Sequence, residues 1–216
     1  NFEQATADLH KINQLFKQIY SGKWVSTGIS KGGTTTIFYR YFYPSDVDVS
    51  VPYVAPVNYD YEDKRIYEFL DTVGTDECRQ AILDYQRRML QKSDDLLQLA
   101  RWYVNGKDLD FTYLSLEEAY EYAVLEYSFS FWQWGAKCED IPGGDVSNED
   151  LLQHLIDVVG FSFYSDKDIE YYGSHYYQSS TEMGYYGFET DDFDGLIKYL
   201  PTETNPHASF VPGKME

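Results

Sequence analysis

The chain has 216 residues, 43% of them hydrophobic and 25% charged, a balance that suits a soluble folded domain and leaves little room for extended disorder. Its 17 Lys and Arg stand against 36 Asp and Glu, a net charge of -19, so phosphate backbones and anionic lipid are repelled, and neither nucleic acid nor a membrane is an expected partner. A cationic group, such as the free amino terminus of a peptide, is drawn toward such a surface.

The chain opens at Asn1 without an initiator Met and stops at Met215-Glu216 without a terminating signal, so it reads as an internal fragment of a longer polypeptide. Leu9, Ile12, Leu15, Phe16 and Ile19 recur at three- and four-residue spacing and predict a helix with one buried face. Ser21-Gly22 breaks it. Lys23 to Thr27 then reads as a short strand, Gly28 to Gly33 as a tight turn, and Thr34 to Tyr43 as a helix ending at Pro44. Val47, Val49, Val51 and Tyr53 alternate with polar residues and Pro52, which predicts a second, short strand. Strand, turn, helix and strand make a βαβ-type unit, which needs neighbouring parallel strands that the rest of the chain does not supply.

From about Tyr61 the period becomes helical. Cys78, Ile82, Tyr85 and Met89 mark one face of a helix opening at Thr75-Asp76-Glu77, and Leu96, Leu97 and Ala100 continue the pattern. Ser115-Leu116-Glu117-Glu118 is a capping-box sequence for a helix from Ala119 to Trp134 that Gly135 ends, and Ser147 and Ser165 are further caps. Tyr120, Tyr127, Phe131 and Trp134 fall at helical spacing, as core positions do. Cys78 and Cys138 are too far apart for a CxxC pair; a bridge and two separate buried thiols fit the sequence equally.

One motif carries chemistry. Gly28-Ile29-Ser30-Lys31-Gly32 fits G-x-S-x-G, in which small residues two before and two after the serine let a strained strand-to-helix turn expose its hydroxyl. That geometry makes Ser30 the candidate nucleophile and the backbone N–H of Lys31 the candidate oxyanion donor. Neither G-x-G-x-x-G nor G-x-x-x-x-G-K-[ST] is satisfied at this turn, so a phosphate loop is not expected. No cofactor and no metal are expected either.

Around this motif, Trp24 to Gly33, Phe38 to Pro44 and Asp46 to Pro56, with Tyr127 to Gly135 and Tyr176 to Glu182 further on, resemble the PS-10 (S37) serine peptidases, which are secreted and tripeptidyl-aminopeptidase-like. The resemblance implies an α/β-hydrolase core (strand, nucleophile elbow, helix, strand) with a large, mainly helical cap: residues 1–60 as partial core, 61–200 as cap, and 201–216 as an extended return segment. It also implies a secreted or periplasmic protein that releases short N-terminal peptides, with a triad in the order Ser, Asp, His. Only the serine maps onto this chain, so the isolated polypeptide is expected to be inactive and to need the remainder of the same polypeptide.

Four histidines bear on that expectation. His10 precedes the nucleophile and reads as a surface residue, His154 lies on a short helix as a structural histidine, His175 sits among tyrosines of the cap, and His207 follows Pro206. None follows a strand, as the general base of this fold must. An aminopeptidase also needs a carboxylate for the substrate's α-ammonium group, and Glu182 is the first candidate, Glu126 the second. Two rivals stand beside this reading: a lipase- or esterase-type hydrolase, against which the acidic cap speaks, and a noncatalytic binding module using some of the 22 tyrosines and four tryptophans.

Overall fold

The structure, a computed structural model, describes residues 1–201. The predicted return segment, apart from Pro201, lies outside the described residues, and so does His207. The chain divides into two compact units, Asn1–Tyr59 and Asp60–Glu216.

The first unit is a helix followed by one βαβ turn: α1 (Phe2–Phe16), β1 (Val25–Ile29), α2 (Lys31–Phe42) and β2 (Val49–Tyr53). The strands pair in parallel from Val25 opposite Val49 to Ile29 opposite Tyr53, with α2 as the crossover that parallel pairing demands. The predicted six-residue turn at 28–33 contracts to Ser30, because β1 continues through Ile29 and α2 starts at Lys31.

α1 does not bury the stripe that its periodicity predicts. Ile12, Leu15 and Ile19 are 50%, 64% and 73% exposed, and Leu9 and Phe16 are exposed as well. The buried positions are Phe2, Thr6 and Asn13. Phe2 stacks on Phe38 of α2 with ring centroids 4.1 Å apart, and the buried Asn13 amide donates to the Asp46 carbonyl at 3.2 Å. The position of α2 decides which face is covered, and an apolar period within α1 carries no information about it.

The second unit is helical: α3 (Arg65–Thr72), α4 (Asp76–Gln91), α5 (Ser93–Gly106), α6 (Leu116–Trp134), α7 (Asn148–Val158) and α8 (Asp166–Gln178), with a π-helical turn at Ser179–Met183. α6 is central, and Ala119, Tyr120, Tyr122, Ala123, Val124, Tyr127 and Phe131 along it are fully buried. Buried tyrosines need hydroxyl partners. Tyr120 donates to the Met89 carbonyl and Tyr85 to the Leu151 carbonyl, each at 2.8 Å, so helix backbones satisfy them. Trp134 departs from the expectation: it is 71% exposed at the last position of α6, which Gly135 ends in the left-handed conformation, although Phe131 one turn earlier is fully buried.

The helix starts follow local chemistry. Thr75, Ser115 and Ser147 accept from the backbone N–H three residues on, and Ser115 with Glu118 closes the full capping box. Ser165 occupies the cap position of α8 but makes no cap bond; its hydroxyl donates to the Ser162 carbonyl at 2.6 Å. Cys78 of α4 and Cys138, in a short 3₁₀ turn, form a disulfide across 60 residues. Glu121, fully buried on α6, accepts from the backbone N–H groups of Lys198, Tyr199 and Leu200 at 2.7–2.9 Å and holds that segment against the core.

Candidate active site

Ser30 has φ 53° and ψ −125°, a positive φ that costs a residue bearing a Cβ of the order of 1–3 kcal/mol. Bonds on both sides hold it there. Its N–H donates to the Tyr53 carbonyl at 3.0 Å, extending the β-ladder by one step, and its carbonyl accepts from Thr34 N–H at 3.1 Å, opening α2. The side chain is exposed, and no side chain among the described residues hydrogen-bonds its hydroxyl.

Two glycines make this turn possible. A Cβ on Gly28 would stand 2.3 Å from the Gly32 carbonyl oxygen, and one on Gly33 would stand 2.8 Å from the Tyr53 carbonyl oxygen and 2.9 Å from Ala55 Cβ. A Cβ on Gly32 meets nothing within 4 Å. The steric need after the serine therefore falls on Gly33, three positions on, and not on Gly32, as the motif suggests. Thr34 Oγ1 donates to the Pro56 carbonyl at 2.6 Å, fixing the chain that leaves β2 to the first turn of α2.

The first bond of α2 starts at Thr34 N–H, so the N–H groups of Lys31, Gly32 and Gly33 have no intrahelical acceptor. Together with the helix dipole they form a cluster of donors beside the Ser30 hydroxyl, suited to a developing negative charge.

A histidine–carboxylate pair does exist in this unit. His10 Nδ1 lies 2.6 Å from the buried Asp46, which also accepts from Tyr39 OH at 2.8 Å, while the His10 ring stacks on Tyr43 at 4.3 Å. His10 is thus a bracing residue, where the sequence suggested a simple surface one. Tyr43 caps the far end of α2, and thirteen residues at 1.5 Å each separate it from Ser30 by about 20 Å. The pair cannot serve as base to Ser30. His154 Nε2 is 2.8 Å from Tyr127 OH on the α6–α7 contact, where burial lowers the imidazole pKa, and His175 packs edge-on to Tyr185.

The two candidate carboxylates differ. Glu182 lies exposed in the π-helical turn and accepts from the Gln178 amide at 2.8 Å. Glu126, on α6, is half-buried: Tyr186 OH donates to both of its oxygens at 3.0 Å and Ser130 Oγ to one at 3.1 Å. No cation pairs with Glu126 among the described residues, and burial pushes its pKa up to about 7 against the pull of those hydroxyls. Tyr186 is placed by a backbone bridge at its neighbour: Tyr185 N–H donates to the Tyr61 carbonyl at 2.9 Å and Asp63 N–H to the Tyr185 carbonyl at 2.8 Å. Sequence alone could not pair Glu126 with a tyrosine 60 residues away.

Ser30 and Lys31 are thus adjacent at the elbow, while Glu126 and Glu182 lie in the other unit on separate elements. Among the described residues no group of three or more His, Cys, Asp or Glu could hold a metal, and no helix is long and apolar enough to cross a membrane.

Comparison with known proteins supplies the rest. A prolyl tri/tetrapeptidyl aminopeptidase of Streptomyces mobaraensis is 35% identical over 215 residues, 97% of this chain, and the chain spans 44% of that relative's length. No solved structure matches. The sequence profile of PS-10 peptidase S37 matches residues 1–216. An exposed serine at a glycine-walled elbow and a family match over its whole length lead to one statement: the chain belongs to the PS-10 (S37) peptidase family.

Proposed function

We propose that this chain carries the nucleophile segment of a serine peptidase of the α/β-hydrolase type, which releases short peptides from free amino termini through an acyl-enzyme on Ser30. The observation that carries the reading is the backbone of Ser30, held at φ 53° between β1 and α2 with its side chain in solvent. A serine without a role there would be replaced at no cost by glycine.

The chemistry follows from the elbow. Ser30 Oγ attacks the scissile carbonyl, its proton passes to a histidine base, and the carbonyl oxygen becomes an oxyanion received by Lys31 N–H. The amine leaves with that proton, and water then releases the acyl group by the same route. Within the Ser30 unit the one histidine, His10, is held at the far end of α2, and the triad Asp and His are assigned to the remainder of the polypeptide, as the family resemblance implies. The βαβ turn, with Val25, Ile29, Val49 and Tyr53 exposed on its two strands, would be completed by parallel strands from that remainder. The helical unit serves as the cap.

Of the two candidate anchors for the substrate's amino group, Glu126 has the stronger chemistry. Its charge is disfavoured by burial and paired with no cation among the described residues, so an arriving ammonium supplies what the tyrosine surround lacks. Glu182, solvated and bonded to Gln178, gains less from the same partner. The Cys78–Cys138 disulfide agrees with secretion, since such bonds persist in oxidising compartments.

A fluorophosphonate probe tests the central claim. The longer polypeptide should be labelled at Ser30, the S30A variant should not, and the isolated chain should be labelled and turn over peptides orders of magnitude more slowly. Labelling that survives S30A would overturn the assignment, and preference for acyl esters over free-amino peptides would favour the lipase-type rival.

A further inference from the structure

A cleft of about 300 Å³ opens in the helical unit between α3, α4, α6 and the segment from Tyr186, whose hydroxyl holds Glu126; Ser30 and Lys31 do not line it. Its walls are aromatic, with Tyr67, Phe129, Trp132 and Phe188 lining it. Trp132 is seated by Gly74, where a Cβ would stand 2.3 Å from the indole ring.

The rim is acidic beyond what the local cations neutralise. Arg79, which also lines the cleft, is engaged by the Asp76 carboxylate and by the carbonyls of Val73 at 2.8 Å and Gly74 at 3.1 Å. Asp192 is held by Arg87 at 2.9 Å. Asp71 and Glu189 are left without a cation among the described residues. Burial and then the neighbouring Asp71, Asp191, Asp192 and Glu62 raise the Glu189 pKa, a mark of unrelieved negative charge.

A second observation is independent of the acids. Gln86 lines the cleft, yet the residue is only 4% exposed. Its amide nitrogen donates to the Val124 and Leu125 carbonyls at 2.8 and 3.4 Å, and its Oε1 has no donor among the described residues. An acceptor without a donor, on a side chain that lines a cavity, is open to a donor group of a ligand.

We propose that this cleft binds the guanidinium of an arginine side chain presented by a polypeptide. A planar cation with several donors fits flat aromatic walls and three separated acceptors, Gln86 Oε1, Asp71 and Glu189, better than a compact ammonium does. The volume accommodates one long side chain rather than a folded segment. The inference stands apart from the peptidase reading and needs neither Ser30 nor the triad.

Calorimetric titration of the intact chain with Nα-acetyl-arginine methylamide tests it, with the citrulline analogue as the neutral isostere and the lysine analogue as the compact cation. The arginine compound should saturate one site and quench Trp132. The other two probes, and the arginine probe on a D71N/E189Q variant, should bind at least about tenfold more weakly. Both replaced residues are exposed on the rim, so the variant should keep its thermal midpoint. No saturable arginine binding, equal binding of the citrulline or lysine probe, or an unaltered double variant would each overturn the proposal. In the longer polypeptide, competition of the arginine probe with a peptide substrate would assign the arginine to the substrate, and binding without competition would assign it to a separate polypeptide.

Discussion

Two glycines at the elbow bear different loads, and the difference can be measured. Gly33→Ala drives a Cβ to within 2.8 Å of the Tyr53 carbonyl oxygen and must push α2 away from β2; about 2 kcal/mol of stability should go, and fluorophosphonate labelling with it. Gly32→Ala meets open space at the start of a helix and should leave the unfolding midpoint unchanged or slightly raised. A larger loss at Gly32 than at Gly33 in chemical denaturation would contradict this account. The motif's spelling points to residue 32; only the backbone path of β2 and the chain after it shows that residue 33 is the one pressed against a neighbour.

Glu126 supplies a pH prediction at the same scale. Its folded pKa of about 7 lies above the ordinary glutamate value, so the folded unit binds this proton more tightly than the unfolded chain does. The associated stability is present in full below about pH 4.5 and is lost as pH rises through 7, of the order of 2 kcal/mol once partial exposure is allowed for. Urea denaturation at pH 5 and pH 8 should show this slope in the wild-type chain and lose most of it in E126Q, whose amide does not titrate. An unchanged slope would mean that another group carries the effect.

Among elements, α6 is the clearest case of local and tertiary information agreeing. Ser115 and Glu118 close its capping box, Gly135 ends it, and the residues between form the centre of the helical unit. Ser115→Ala should cost about 1 kcal/mol, read as a shift in the urea midpoint at constant m-value. α1 is the opposite case. Its apolar period is genuine, yet the described neighbours cover Phe2, Thr6 and Asn13 and leave Ile12, Leu15 and Ile19 in solvent. Such a stripe shows that something apolar is to be covered, not what covers it.

For the molecule as a whole, the disulfide is the strongest covalent constraint on the helical unit. It closes a loop of 60 residues, and the chain-entropy argument gives about 4 kcal/mol for a loop of that size. Reduction should lower the unfolding free energy of that unit by this order while leaving the βαβ unit, which contains no cysteine, unaffected. Separate near-UV and far-UV probes of the two transitions, with and without reductant, would check it.

Much of the local structure was legible from the amino-acid sequence alone, because it depends on neighbours a few residues away. The caps at Ser115 and Ser147, the helix start at Thr75-Asp76-Glu77, the stop at Gly135, the parallel strands flanking a helix and the sharp turn at Ser30 all follow from side-chain chemistry and steric rules of that range, whereas Ser165 makes no cap bond. What needed the tertiary structure depends on residues distant in sequence. Examples are the pairing of Cys78 with Cys138, the tyrosine that holds Glu126, the distance that separates the His10–Asp46 pair from Ser30, and the open acceptor of Gln86 in an acidic aromatic cleft. Periodicity records which residues prefer to leave water, whereas contact and charge balance are set by whatever the folded chain brings beside them.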